Sequence, residues 1–244
     1  MALENWLSTI ETLTKLGGVA GGVGTAAYGV WKFLGIKSRH EQMVATRGVF
    51  QAVMDCLSSD NEVQQLAGAV LIRRFFNPAT EVGLKGTPYA EECVQVIAGI
   101  LKNPDLSPNV QKVLADSLAY APTLRRVDLQ GARLCRAYLG DRVRKGIDAS
   151  EADFFESDLT EASLTGITAK ETVFYHAVMP KASVRQADLR GADFREANLE
   201  GAKFDGADLD GARFHGALLT RTSFKDSRNI PPAIAKQLRD HQVP

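Results

Sequence analysis

The sequence predicts a mixed fold, with an α-helical amino-terminal half leading into a four-sided β-helix, a β-solenoid. Three observations carry that prediction. From Leu124 to Phe224 a large apolar residue recurs at nearly every fifth position, with a small residue two places before it. Between residues 40 and 121 the apolar residues follow helical spacing instead. From Leu16 to Trp31 the chain carries no charge at all.

The five-residue period matches neither an α-helix nor a flat strand. A unit with two inward and three outward side chains closes a core only by winding into a solenoid. Taken every twentieth position, the large residues read Leu134, Phe154, Phe174, Phe194, Phe214, and in a second series Leu139, Leu159, Met179, Leu199, Leu219. Like side chains stacked along an axis are a device of cross-β packing, so four units make one coil. Residues 141–150 lack the motif, yet fifteen residues separate Leu139 from Phe154, and the register is kept. There Ile147 with Ala149, like Ile167 with Ala169, exchanges large and small at constant volume, with Val127 and Leu129 one coil earlier. One continuous core column is therefore expected. Arg142 and Arg144 cannot be buried unpaired, so a bulge that turns Val143 inward and expels both is the expected repair.

The runs Ala-Asp-Leu-Arg-Gly (187–191), Ala-Asp-Phe-Arg-Glu (192–196), Ala-Asn-Leu-Glu-Gly (197–201) and Ala-Asp-Leu-Asp-Gly (207–211) resemble the pentapeptide-repeat family. The resemblance covers about 100 residues and implies a right-handed, quadrilateral β-helix. Its units would fill about five coils, a rod of about 25 Å at the usual strand spacing. Open ends of such a rod invite association, and both are expected to be covered. Pro122 closes a helix before the first coil, and Asn229-Ile230-Pro231-Pro232 starts a short helix carrying Ile234 and Leu238.

Residues 40–121 read as four amphipathic helices, loosely HEAT- or armadillo-like. Their apolar stripes are Met43, Phe50, Val53 and Leu57; Val63, Leu66, Val70, Leu71 and Phe75; Val94, Ile97 and Leu101; and Val110, Val113, Leu114 and Leu118. Thr87-Pro88 and Ser107-Pro108 start the last two. The domain plan is 1–39, an amphipathic and apolar segment; 40–121, the helical module; 122–228, the β-helix; and 229–244, a capping helix and tail.

In the first of these, Leu16 to Ile36 would span about 31 Å as a helix, enough for a bilayer core. Seven glycines would each cost about 1 kcal/mol in a water-exposed helix. In lipid, Gly17 with Gly21, Gly18 with Gly22 and Thr25 with Gly29 are small-xxx-small pairs for close packing, up to Trp31. Lys32, Lys37 and Arg39 follow the span, which would keep the bulk of the chain cytoplasmic, anchored at the inner membrane by this single helix. The other reading is a glycine-rich hairpin buried against the helical module.

A formal net charge of zero argues against a dedicated nucleic-acid binder. Cys56, Cys93 and Cys135 are scattered and odd in number, which suits a reducing cytoplasm. His40, His176, His215 and His241 show no ligand spacing, and the glycine run 17–24 lacks the Lys-Ser/Thr of a phosphate loop. No catalytic residue, metal site or cofactor is expected, and a closed square rod is expected to offer no cleft.

Mapped onto the sides at twenty-residue stacking, Arg125, Arg126, Lys145, Arg185, Lys203 and Lys225, with the expelled Arg142 and Arg144, form a basic side. Asp128, Asp148, Glu151, Glu171, Asp188, Asp208 and Asp210 form an acidic one. Phe155 and Tyr175 stack on a third side beside Val173 and His176, and exposed aromatics mark a contact site. Arg142, Arg144 and Arg185 join them as expected partner-binding residues.

The leading expectation is a non-enzymatic bacterial scaffold for a protein partner, membrane-tethered or homo-oligomeric through its first helix. The resemblance implies an alternative, since some members of that family imitate duplex DNA and bind type II topoisomerases (gyrase). The imitation would be poor here, because residues 125–244 carry 18 acidic against 19 basic side chains. A third reading is a membrane-perturbing effector that uses the β-helix as sensor or assembly platform.

Overall fold

A computed structural model describes residues 39–76, 88–140 and 146–240. The apolar segment Leu16–Ile36, with all its glycine pairs and Trp31, lies outside the described residues, as do Arg142, Val143, Arg144 and Lys145. Among the described residues no helix is long and apolar enough to cross a membrane.

The chain divides into two compact units, Met1–Gly83 and Leu84–Pro244. In the first, α1 (Arg39–Leu57) packs against α2 (Glu62–Phe76). Val53 and Leu57 of α1 are buried, and Phe50 meets Phe75 edge-on with ring centroids 6.3 Å apart. The apolar stripe expected on α2 is corrected. Val63 and Val70 are 67% and 53% exposed, while Gly68, Ala69, Ile72, Phe75 and Phe76 are buried. Small size decides this face, because a Cβ on Gly68 would lie 2.9 Å from Leu57 Cγ.

The helices of residues 40–121 fall into both units. The second pair, α3 (Pro88–Leu101) and α4 (Pro108–Ser117), belongs with the solenoid. Ser107 caps α4 by accepting from the Val110 amide at 3.3 Å, with Pro108 in the first turn. A 3₁₀ turn, Leu118–Tyr120, leads into the first coil.

This helix pair covers the open end of the ladder. The Arg133 amide donates to Leu101 O at 2.9 Å and the Tyr138 amide to Asp116 Oδ1 at 2.8 Å. Within the solenoid, amides at these positions donate to the preceding coil, as Asp153 does to Val127 O. The pair thus supplies acceptors that a missing coil would have offered. At the other end α5 (Pro232–Asp240) carries a buried Ile234, and Phe214 and Phe224 of the last coil are buried. Leu219 is only half-buried and Leu218 is 48% exposed.

Parallel bridges join the coils. From Asp148↔Thr168 to Asp208↔Arg228 every bridged pair is twenty residues apart, four units per coil. The first three, Asp128↔Asp153, Arg133↔Asp158 and Tyr138↔Ser163, are twenty-five apart. The continuous register expected through residues 141–150 is therefore corrected: one unit's length is extra there. Leu129, not Leu134, stands over Phe154, because its amide donates to Asp153 O, and Leu134 stands over Leu159.

Beyond that step the aromatic column is as the sequence predicts. Phe154–Phe174, Phe174–Phe194 and Phe194–Phe214 stack at 5.0, 4.8 and 5.1 Å. Phe204 and Phe224 form a second column at 5.2 Å and meet the first edge-on, Phe194 to Phe204 at 5.3 Å.

Two outcomes test this core. Phe194→Ala removes a ring stacked on both faces and is expected to lose about 3–5 kcal/mol in urea unfolding, through the cavity it leaves. Deleting residues 141–145 restores the twenty-residue interval and is expected to keep the melting temperature within about 5 °C of the parent, read by circular dichroism.

Candidate functional site

Each solenoid unit turns a corner, and the corner explains the repeated acids. The last corner residue has positive φ: glycine at Gly131, Gly166 and Gly191, but a side chain at Glu156 (54°), His176 (57°) and Glu196 (56°). Where the residue before the large core position is Asp or Asn, it accepts from the amide two places on. Asp153 holds the Phe155 amide at 2.9 Å, Asp193 that of Arg195 at 3.1 Å, and Asn198 that of Glu200 at 3.1 Å.

The same corners build an aromatic cluster on the outer surface. The Phe155 and Tyr175 rings lie 5.7 Å apart at 30°. His176 sits 4.3 Å from the Tyr175 ring and 6.1 Å from Phe155. One coil on, the Arg195 guanidinium covers Tyr175 at 5.4 Å, held there by Asp193, with Nη2 to Oδ2 at 2.6 Å. Val173 bridges Asp153 and Asp193 on the adjoining side. Four of the sequence-predicted contact residues (Val173, Phe155, Tyr175, His176) therefore share one corner.

Arg185 does not join them. It lies half a coil away and donates from Nε to Asp205 Oδ2 at 3.0 Å. Sequence reasoning missed Val178, 40% exposed, Pro180 and Arg195. A signal was present: residues 172–180 form an uncharged run between Glu171 and Lys181.

The predicted charged sides are redrawn by the register step. Arg125 and Arg126 stand over Ser150 and Glu151, and both pair with Glu151, Arg126 from Nε at 2.6 Å. They leave the basic side and neutralise the acidic one. Asp128 moves to the side of Asp153 and pairs with Lys102 at 3.0 Å. On the acidic side Asp188 pairs with Arg190 at 2.8 Å and Lys170 at 3.4 Å, and Asp208 with Arg228 at 3.7 Å.

A family model for pentapeptide repeats matches residues 152–191 and 187–226 with eight copies. The solenoid belongs to the pentapeptide-repeat family. Among solved structures, the pentapeptide repeat protein Rfr23 from the cyanobacterium Cyanothece 51142 is similar at 28% identity, over 41% of this chain and 63% of that one, TM-score 0.32. A pentapeptide repeat protein from the Arabidopsis thaliana thylakoid lumen matches at 29% identity, over 44% and 61%, TM-score 0.23. QnrB1, a plasmid-mediated fluoroquinolone resistance protein, matches at 21% identity, over 42% and 58%, TM-score 0.28. The chain spans less than two thirds of the length of each of these three. No curated protein matches it.

The pentapeptide-repeat solenoid is not wholly without relief, contrary to the expectation of no cleft. A shallow open groove of about 350 Å³ runs along the corner lined by Thr165, Arg185, Gln186, Asp205, Gly206 and Asp226. The Ser223 hydroxyl, and after it Arg185, hold the Asp205 carboxyl below the usual range against the effect of burial. Burial pushes the Cys93 thiol up to about 12. Burial, then the Asp158 carboxylate 2.8 Å away, pushes Cys135 up to about 11. Both thiols are protonated and weakly nucleophilic at neutral pH. Among the described residues no His, Cys, Asp and Glu cluster could hold a metal ion.

The repeat's acids set a pH dependence. Arg190 lowers the Asp188 carboxyl and Arg195 that of Asp193. Folded values below unfolded ones mean that this stability is present above about pH 4 and is lost as pH falls through the folded values. The urea midpoint is expected to be flat from about pH 8 to 5 and to fall below about pH 4. Asp193→Asn is expected to make that fall shallower.

Proposed function

We propose that this chain is a non-enzymatic protein-interaction scaffold whose solenoid docks a protein partner at the Phe155–Tyr175–His176 corner. The observation that carries this reading is the aromatic pair stacked on the outer surface. These rings are not needed to fill the core, which Phe154 and Phe174 already close. Half-buried aromatics on a surface that holds them in place are the residue types that dominate binding energy at interfaces. In this reading the apolar segment from Leu16 to Ile36 tethers or oligomerises the scaffold at the cytoplasmic face of a membrane. A duplex-DNA mimic for a topoisomerase finds less support, since Glu151, Asp188 and Asp208 of the acidic side are closed by ion pairs with Arg125, Arg126, Lys170, Arg190 and Arg228.

Affinity-tagged full chain should co-purify a partner that the Phe155→Ala/Tyr175→Ala variant retains at least about tenfold less well, with its melting curve unchanged. Equal recovery by both proteins would rule out this corner. A chain starting at Arg39 should move from the membrane fraction to the soluble one; if both are soluble, the tether alone is dropped.

A further inference from the structure

We propose that the partner element seated at this corner is a basic peptide segment, an apolar side chain flanked by lysine or arginine. The inference rests on the docking reading and adds the chemistry of the occupant. One coil carries the whole uncharged band. Its outward residues Val173, Tyr175, His176, Val178 and Pro180 run around the corner with no formal charge, and Val178 is 40% exposed. The coils on either side place carboxylates at matching positions, because the ladder stacks residues twenty apart.

Those carboxylates are of two kinds. Asp153, Asp158 and Asp193 are engaged: Asp153 by Gln130 and its own corner amide, Asp158 by Cys135 and Thr160, Asp193 by Arg195. Glu156, Glu196 and Glu200 are not. All three are exposed, and none has an ion-pair partner among the described residues. Glu156 and Glu196 bracket His176 in one column, about 10 Å apart at two inter-coil spacings.

Most of the nearby cations are turned toward carboxylates of the fold, and Arg213 stands over Asp193 on the adjoining side. Arg195 is held by Asp193, and Lys181 and Arg136 both pair with Glu161. An apolar band edged by unpaired acids repels phosphate backbones and anionic lipid, and complements a positively charged segment with an apolar anchor.

A random-peptide phage library selected on the full-length chain tests this. The peptides are then measured by fluorescence anisotropy against the parent, Tyr175→Ala, and the Glu156→Gln/Glu196→Gln/Glu200→Gln variant, at low and high salt. Peptides that depend on Tyr175 should carry Lys or Arg beside an aromatic or aliphatic residue. Neutralising the three acids should weaken them by about tenfold and flatten their salt dependence. Tyr175-dependent peptides that lack basic residues, or that bind the Gln variant equally well, would overturn the basic occupant and leave the docking corner standing. Peptides indifferent to Tyr175 would remove the corner itself. The three acids make no ion pair among the described residues, so the Gln variant should melt with the parent.

Discussion

Everything on the solenoid's surface takes its neighbours from one constraint, the parallel backbone ladder that sets each residue over its counterpart in the next coil. Near-planar, stacked phenylalanines 4.8–5.1 Å apart are the inward consequence. Outward, the same ladder fixes which charges meet. Arg185 meets Asp205, twenty residues on, because its other vertical neighbour, Thr165, carries no charge. Where the ladder offers no carboxylate, the corner supplies one locally, as Asp193 does for Arg195, which stands between Tyr175 and His215.

That dual use of Asp explains why the repeat is rich in aspartate without being an acidic surface. An aspartate before the core residue first satisfies a corner amide, and only its remaining oxygen capacity faces solvent or an arginine. Exposed pairs of this kind contribute little each, yet they cancel the field that a run of free carboxylates would project. Three glutamates around residues 173–180 break the pattern, standing at corner positions where, among the described residues, no amide needs them and no arginine pairs with them.

The sequence made the period, the four-sided coil and the aromatic columns legible, because each depends on spacing alone. It also placed Phe155, Tyr175, Val173 and His176 together, since all lie after the register step. What failed, failed for one physical reason: a five-residue surplus preserves the repeat's phase while shifting its stacking. Counting by fives, Leu134 and Phe154 are in phase; counting by coils, they are not. Arg125, Arg126, Asp128 and Leu134 were consequently assigned to the wrong sides. On α2 the error was different, since a hydrophobic ranking prefers Val63 and Val70 to Gly68. Close helix approach prefers the residue with no side chain.

The ladder also bears on how the aromatic corner can bind. A surface side chain ordinarily loses rotamer freedom when a partner immobilises it, about 0.5–1.5 kcal/mol for a flexible one. Tyr175 is already sandwiched between Phe155 and the Arg195 guanidinium, which is itself chelated by Asp193. Much of that ordering is therefore complete in the free chain. Backbone hydrogen bonds to the coils on either side also oppose adjustment to a poor ligand. Such a corner favours a partner of matching shape and charge and penalises others, so its selectivity should lie in the unpaired glutamates rather than in the rings.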